Sequence, residues 1–379
     1  MRRKIFALTA SLLVTAAIVA PTTAAAAEPA LAAPGGPFRV PPKDPPQTVP
    51  SPVGDLKVPP ETFAMTCSQG PTGTLTTPDG KTQRVMLTAS HCVNTMPGLP
   101  EVKGEVFVPL ESGYARIGER IASNVMPEST YDLSDPILSA RTADWGIVLI
   151  DDSVNATRVS FSRDSDGGVY GEPVELTGIR DLPTLQHGEI VFDNFGQPIC
   201  KDGATSGRSC GTQLARTRNG IYSWDLYYLE GDSGGVNFDP RDGAILGVTS
   251  MALGPLGKLQ PADRILEDAY GIPDGEVNNY FVLTDSTAPH TAFVPSGEES
   301  VRIDAEISAM NPDIQPPDGR AELETATANA QQDARQLGEK ALGGNIDPRE
   351  IQNTAEHHAG EISKWADVAL AQEINSWLN

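Results

Sequence analysis

The stretch Gly231-Asp232-Ser233-Gly234-Gly235 holds a serine between glycines, directly after an aspartate. A serine hydroxyl is a poor nucleophile unless a base accepts its proton and hydrogen-bond donors stabilise the oxyanion formed on attack. Glycines allow the sharp turn that would aim the amides of Gly231 and Ser233 at one point, as an oxyanion hole requires. The alternative is an ordinary glycine-rich turn, so the assignment of Ser233 as a nucleophile depends on a base elsewhere in the chain.

The candidate for that base is His91, in the run Leu87-Thr88-Ala89-Ser90-His91-Cys92. The apolar residues Val85, Met86 and Leu87 predict a β-strand that delivers the histidine to a loop beside a cysteine. The other four histidines stand in polar or helical contexts and are interpreted as solvated or packing residues: His187, His290, His357 and His358.

A base of this kind needs an acid that holds the imidazole in the right tautomer and stabilises it once protonated. Asp144 fits, because it stands just before the apolar strand 146–150, where its carboxylate could be buried. The alternative for a lone aspartate at the start of a strand is a turn or capping carboxylate. The combination with His91 and Ser233 favours the catalytic interpretation.

The order of these three residues, with Thr-Ala-Ser-His-Cys around His91 and Gly-Asp-Ser-Gly-Gly around Ser233, resembles the chymotrypsin-like serine peptidases. The runs 199–212 and 260–271 resemble the disulfide hairpin and the closing helix of the bacterial streptogrisin and α-lytic peptidase branch. The similarity covers residues 62–283. It implies an all-β fold of two antiparallel six-stranded β-barrels with the triad at their seam, and an endopeptidase that needs no metal or organic cofactor.

Four cysteines in an exported chain predict two disulfides, with three possible connectivities. The family resemblance would pair Cys67 with Cys92, holding the loop of His91, and Cys200 with Cys210. A zinc site is the alternative, but the cysteines lack paired C-x-x-C spacing.

By the same resemblance, Asp232 is a buried structural acid that takes no part in proton transfer. A buried carboxylate requires an internal cation. The sequence alone does not identify that cation.

The resemblance matches Ser250 to the serine that supports the catalytic aspartate and begins the strand that pairs with substrate. Relatives usually carry glycines after that serine to open the primary specificity pocket, whereas this chain has Met251 and Ala252. We expect all three residues to contact substrate.

Two further substrate-binding residues are predicted in the segment before Ser233. Ungapped counting places Tyr227 at the position six residues before the nucleophile, which carries aspartate in trypsin-like relatives. Glu230 precedes the oxyanion-hole glycine and would repel acidic side chains. The pocket is therefore expected to accept neutral or basic side chains and to reject Asp and Glu.

The start of the chain predicts export. Residues 1–27 combine a basic start, an apolar run and an Ala-rich stretch, which is typical of a secretory signal cut near Ala27; the alternative is a membrane anchor. The formal net charge of −22 would become −25 with the loss of Arg2, Arg3 and Lys4, which argues against nucleic acid as a partner. No later segment is apolar enough to span a membrane.

The remaining sequence divides into four parts. Residues 28–61 hold 11 prolines and are expected to be a leader or linker that builds no packed core. Residues 62–283 show short strand-like runs separated by Gly, Asp and Pro, ending in a helix over 260–271. Residues 284–318 are expected to be an irregular linker, and residues 319–379 an acidic helical hairpin.

The region from Asp285 onward holds 17 acidic and 6 basic residues, a net charge of −11. It is predicted to be a separable accessory module that docks on the barrel or on an unknown partner, so that a chain truncated near Ser286 keeps a reactive serine.

The sequence predicts an exported serine endopeptidase that acts on proteins or peptides. One alternative is a non-catalytic surface or binding protein that retains the fold, because the pocket near Met251 is altered. Another is a periplasmic quality-control peptidase with PDZ modules, which the Ala-rich helical tail and the cysteines disfavour.

Overall fold

We describe a computed structural model that covers residues 28–51, 54–127, 136–314, 318–342 and 348–378. The predicted signal sequence, residues 1–27, lies outside the described residues. Within the described residues, no helix is both long and apolar enough to cross a bilayer.

The first half of the chain consists mainly of strands. Its elements are β1 (Pro37–Val40), β2 (Thr48–Ser51), β3 (Gly54–Lys57), β4 (Met65–Ser68), β5 (Thr72–Thr76), β6 (Thr82–Thr88), α1 (Ser90–Val93), β7 (Glu105–Leu110), β8 (Gly113–Ser123), α2 (Pro136–Arg141), β9 (Gly146–Ile150), β10 (Val159–Ser160), β11 (Val174–Glu175) and β12 (Gly178–Ile179).

The second half begins with strands and ends with helices. Its elements are β13 (Pro198–Gly203), β14 (Gly207–Thr217), β15 (Gly220–Trp224), β16 (Val236–Phe238), β17 (Ala244–Leu253), β18 (Leu256–Pro261), α3 (Ala262–Tyr270), α4 (Val277–Tyr280), β19 (Phe281–Leu283), α5 (Ser296–Met310), α6 (Gly319–Leu342) and α7 (Pro348–Leu378).

The second sheet closes into a barrel. Its strands follow the order β12-β17-β16-β13-β14-β15-β18, and β18 pairs back onto β17. Six antiparallel strands, β13 to β18, therefore form a closed ring, and β12 adds to β17 in parallel at one edge. This ring is the six-stranded barrel that the family resemblance implies.

The first sheet has eight strands, in the order β19-β5-β6-β9-β8-β7-β1-β4. The all-β fold class is confirmed, but this unit has two strands more than the six expected. The addition at one end is β19, which pairs with β5. The other addition is β1, which lies between β7 and β4 and pairs with both.

The position of β1 corrects the expectation that residues 28–61 build no packed core. Phe38 and Val40 are fully buried, as are the small side chains of Ala30 and Ala32 before them. Proline has no amide to donate, and Pro37 stands at the first residue of the strand, where this matters least. The prolines of residues 28–61 therefore did not prevent this segment from being buried as part of the first sheet.

The segment before β1 is held by residues that come after the second barrel. The Ala30 amide donates to the Pro289 carbonyl at 2.8 Å, and the Thr291 amide donates to the Ala30 carbonyl at 2.9 Å. His290 lies between the rings of Phe161 and Phe293. We call this contact the terminal clasp.

One apolar cluster spans both sheets. Leu87 and Ile147 of the first sheet belong to the same buried cluster as Val236 and Val248 of the second. The two units thus share a core along their seam, where β6 lies against β17. The predicted closing helix is confirmed as α3, which ends at Gly271 in the left-handed conformation, with a φ of 65°.

Residues 284–318 are not irregular throughout, as they were expected to be. They include the 15-residue helix α5, which docks on the first sheet. Glu299 of this helix forms a buried ion pair with Arg39 of β1 and accepts a hydrogen bond from Tyr114. The sequence pattern concealed this helix because its anchor to the sheet is a charge pair rather than an apolar stripe.

Helices α6 and α7 form the predicted hairpin. Trp365 and Ala326 are buried in it, and His358 Nε2 lies 2.9 Å from a carboxylate oxygen of Asp333 on the facing helix. The sequence Asp347-Pro348-Arg349-Glu350 predicts a capped start for the second helix. Asp347 itself lies outside the described residues.

These contacts change the expected result of truncation. A chain that ends at Ser286 should not fold stably, because it lacks the buried residues Ala288 and Val294 and leaves Arg39 without Glu299. A chain that ends at Ile314 should keep its cooperative thermal transition. Near-ultraviolet circular dichroism during heating would compare the two, and a native transition in the shorter chain would contradict this prediction.

Candidate active site

Strand pairing brings the candidate base and its acid together. β6 and β9 are antiparallel and pair Thr88 with Gly146, so the end of one strand lies beside the start of the other. His91 follows β6 in the short helix α1, and Asp144 precedes β9 by two residues. His91 Nδ1 lies 2.9 Å from Asp144 Oδ2, and the His91 amide donates to Asp144 Oδ1 at 3.1 Å.

Asp144 is only 1% exposed and is held from the second barrel. Ser250 Oγ donates to Asp144 Oδ2 at 2.7 Å, and the Asp144 amide donates to Gln260 Oε1 at 2.9 Å. Burial alone would raise the pKa of Asp144, but the charge and hydrogen bond of His91, with smaller contributions from Lys258 and Ser250, lower the pKa to about 2. The carboxylate is therefore ionised at neutral pH.

The pKa of His91 is shifted in the opposite direction. Burial alone would lower it, but the adjacent Asp144 charge and hydrogen bond outweigh burial and raise the pKa above its ordinary value. Since Nδ1 faces the carboxylate, Nε2 is the nitrogen left to accept a proton from a nucleophile.

The loop that carries Ser233 packs against the loop that carries His91. The Ser68 amide donates to the Ser233 carbonyl at 2.8 Å. A Cβ atom placed on Gly234 would lie 3.4 Å from the sulfur of Cys92, the residue after His91. The loop of Ser233 therefore lies against the residue that follows His91, and Ser233 itself is half-buried.

The backbone turn around Ser233 depends on two glycines. Gly231 and Gly234 adopt positive φ values of 94° and 79°, which only glycine adopts readily. Within the described part of the chain, no carbonyl or side chain accepts a hydrogen bond from the amides of Gly231 and Ser233. These two donors are available for an oxyanion.

The internal cation beside Asp232 is Lys201, which sequence reasoning did not identify. Its ammonium lies 2.6 Å from Asp232 Oδ2, and both side chains are almost completely buried. The amides of Thr205, Ser206 and Leu229 also donate to this carboxylate. The buried ion pair between Lys201 and Asp232 thus holds the turn between the amides of Gly231 and Ser233 in place.

Both cysteine pairs implied by the resemblance are present as disulfides, Cys67–Cys92 and Cys200–Cys210. On the chain-entropy model each contributes about 3 kcal/mol. Neither sulfur of a disulfide is a thiolate, so the zinc alternative lacks its cysteine ligands.

The predicted substrate-binding residues occupy different environments. Tyr227 is 61% exposed and Glu230 is also exposed, whereas Met251 and Ala252 are half-buried and Ser250 is buried. The ring of Tyr227 therefore does not form a pocket floor. The next residue, Tyr228, is partly buried and packs against an apolar cluster of the second barrel.

A second buried lysine, Lys258 of β18, supports the loop that ends at Asp144. Lys258 Nζ donates to the carbonyls of Thr142 at 2.6 Å and Ser139 at 3.2 Å. Burial lowers the pKa of Lys258 to about 8, against the attraction of Asp144. Its positive charge in turn acts to lower the pKa of His91. A lone lysine in a strand gave no signal of this role.

We expect activity to require neutral His91. Because the pKa of His91 is raised, kcat/KM should fall as the pH drops through a midpoint above the ordinary value of about 6.5. The variant Lys258→Gln removes a positive charge but keeps a donor, so it should move that midpoint to higher pH. A pH profile of kcat/KM measures both effects, and a midpoint below 6 or a downward shift in the variant would contradict them.

The ion pair between His91 and Asp144 also makes the free energy of unfolding depend on pH. Asp144, with its lowered pKa, contributes stability above the unfolded value of about 3.9 and loses it as the pH falls. His91, with its raised pKa, contributes stability below about 6.5 and loses it as the pH rises through the folded value.

Comparisons with known proteins found similar solved structures only. No family model matches the chain, and no curated protein matches it. Thermobifida fusca protease A is similar at 18% identity, covering 67% of this chain and 99% of that one with a TM-score of 0.38. Cellulomonas bogoriensis chymotrypsin is similar at 18% identity, covering 67% and 99% with a TM-score of 0.36. A Nocardiopsis protease is similar at 19% identity, covering 54% and 90% with a TM-score of 0.35.

These scores are low, so the fold assignment depends on the chain's own geometry. A closed six-stranded antiparallel barrel packs against a second antiparallel sheet through a shared core. His91 and Asp144 come from the first unit, and Ser233 comes from the second. With this strand order and this seam, the chain has a chymotrypsin-like fold.

Proposed function

We propose that this chain is an exported serine endopeptidase that hydrolyses peptide bonds through an acyl-enzyme. Ser233 Oγ attacks the carbonyl carbon of the scissile bond while His91 Nε2 accepts the hydroxyl proton. The oxyanion is bound by the amides of Gly231 and Ser233. His91 then donates the proton to the leaving amine, which departs, and water hydrolyses the ester by the same steps.

One observation carries this proposal. The hydrogen-bonded pair His91–Asp144 and the loop with the two unoccupied amide donors come from different units and meet at one seam. Asp144 orients the imidazole and stabilises it once it is protonated. Ser250 donates to the buried carboxylate of Asp144, and the Asp144 amide donates to Gln260 Oε1, which supports the fixed orientation that this role needs.

Strand β17 supplies a place for a peptide. Up to Thr249 it is flanked by β16 and the Gly234–Gly235 backbone on one side, and by β18 on the other. From Ser250 to Ala252, β18 remains, but in the described part of the chain no strand pairs with the opposite edge. An extended substrate can add to that edge by backbone hydrogen bonds and present its carbonyl to Ser233.

The two disulfides fit an oxidising compartment, which supports the proposed export.

Labelling with a fluorophosphonate tests the function. The purified secreted protein should be modified at Ser233 alone, and the matched variant Asp144→Asn should label much more slowly. Mass spectrometry of peptides after labelling identifies the site. No labelling of the folded protein would favour the alternative of a non-catalytic binding protein.

A further inference from the structure

The ring of Tyr228 lies on β18, at the residue that pairs with Ala252 of β17. Gly257 of β18 has no side chain, and a Cβ atom placed there would lie 2.4 Å from Cε2 and from the hydroxyl oxygen of Tyr228. The ring therefore rests directly on the Gly257 backbone. The space that a side chain at 257 would need is taken by a residue five positions before Ser233.

The ring is fixed in this position from two sides. The Tyr228 hydroxyl lies 2.9 Å from Ser223 Oγ, and Ser223 is the partner of Gly257 in the β15–β18 ladder. Lys201 Nζ lies 5.6 Å from the ring centroid, within the range of a cation–π contact. Because Lys201 also pairs with Asp232, the ring and the nucleophile loop share one support.

The pairing between β17 and β18 places this ring where a substrate side chain would go. Ala252 pairs with Gly257, and residues directly opposite in an antiparallel ladder face the same side of the sheet. The face shared by these two residues is thus the face on which Tyr228 lies. A peptide added along Ser250 to Ala252 would direct a side chain next to its scissile bond toward this face.

On the basis of the proposed function, we propose that Tyr228 determines specificity by filling the primary pocket, so that the enzyme cleaves after small residues: glycine, alanine and serine. A methyl or hydroxymethyl group would require the least displacement of the ring. Leucine, phenylalanine, lysine and arginine would have to displace a partly buried aromatic side chain that is hydrogen-bonded to Ser223. This narrows the expectation of a neutral or basic preference to small neutral residues, and Glu230 continues to disfavour acids.

Peptide anilides that differ only in the residue before the scissile bond test this inference. The wild-type protein should cleave after alanine with a kcat/KM at least about 100-fold above that for phenylalanine, leucine or lysine. The variant Tyr228→Ala should lose this preference and gain activity after leucine and phenylalanine. The matched control Tyr228→Phe keeps the ring and should keep the preference.

The wild-type result decides the matter even where Tyr228→Ala fails to fold. Cleavage after phenylalanine, leucine or lysine as fast as after alanine would overturn the inference, as would an unchanged preference in folded Tyr228→Ala. Fluorophosphonate labelling distinguishes a failure of the proposed function from a failure of the proposed role of Tyr228. A protein that labels at Ser233 but prefers large residues retains the proposed function and refutes the role of Tyr228, whereas a folded protein that does not label refutes the function.

Discussion

Replacing either Ser233 or His91 with alanine should lower kcat by about 10⁴-fold to 10⁶-fold, because these residues act as a unit in one proton transfer. The double variant should be no worse than the worse of the two single variants, since removing either partner already abolishes the transfer. Residual turnover would come from the amides of Gly231 and Ser233, which remain in place. Steady-state kinetics on an alanine anilide measures these effects.

The control for this experiment is Ser112→Ala, at an exposed serine on the turn between β7 and β8. It should leave kcat and thermal stability unchanged. All variants should melt cooperatively, because Ser233 and His91 are both only half-buried. Ordinary activity in Ser233→Ala would show that the nucleophile has been assigned to the wrong residue.

Replacing Lys201 with methionine should have the second large effect, on both stability and activity. The change leaves the Asp232 carboxylate buried without a cation, which costs about 3–5 kcal/mol in the free energy of unfolding. Asp232 lies between the two oxyanion donors, and loss of one such donor costs about 10²-fold to 10³-fold in kcat. Urea unfolding and kinetics on the same preparations measure the two losses.

The double variant Lys201→Met with Asp232→Asn removes both charges and serves as the matched control. We expect it to recover part of the lost stability, because no unpaired charge remains buried. Equal unfolding midpoints for the single and double variants would contradict the ion-pair explanation. A fully active Lys201→Met would show that the nucleophile loop does not depend on this lysine.

The sequence carried enough information to predict the residues at the seam. His91, Asp144 and Ser233 each stand in a short motif whose glycines, cysteine or apolar flank have a local physical reason. The pairing of Cys67 with Cys92 followed from a family resemblance, and both predicted disulfides form. The roles of these residues in catalysis stay predictions until the kinetics are measured.

Features that depend on long-range packing could not be predicted in the same way. Composition suggested that β1 would be part of a linker, because nothing local shows that Phe38 and Val40 fill a gap between β7 and β4. Lys201 lies in β13, and Tyr228 follows two strands later, after β15. The sequence does not show that the two side chains meet beside Asp232. Counting residues back from Ser233 cannot identify Tyr228, because the position of its ring depends on its contact with Gly257 of β18.

The terminal clasp has a consequence for when this protein can fold. Ala30 is held by Pro289 and Thr291, so the contact joins one of the first parts of the catalytic unit to one of the last. At about 5–20 residues per second, synthesis of the stretch between them takes tens of seconds, and the clasp cannot form before it ends. Until then β1 lacks its anchor, and the first sheet keeps an incompletely held strand that could pair with another chain. Export of an unfolded chain and folding after its release would therefore suit this topology better than stepwise folding during synthesis.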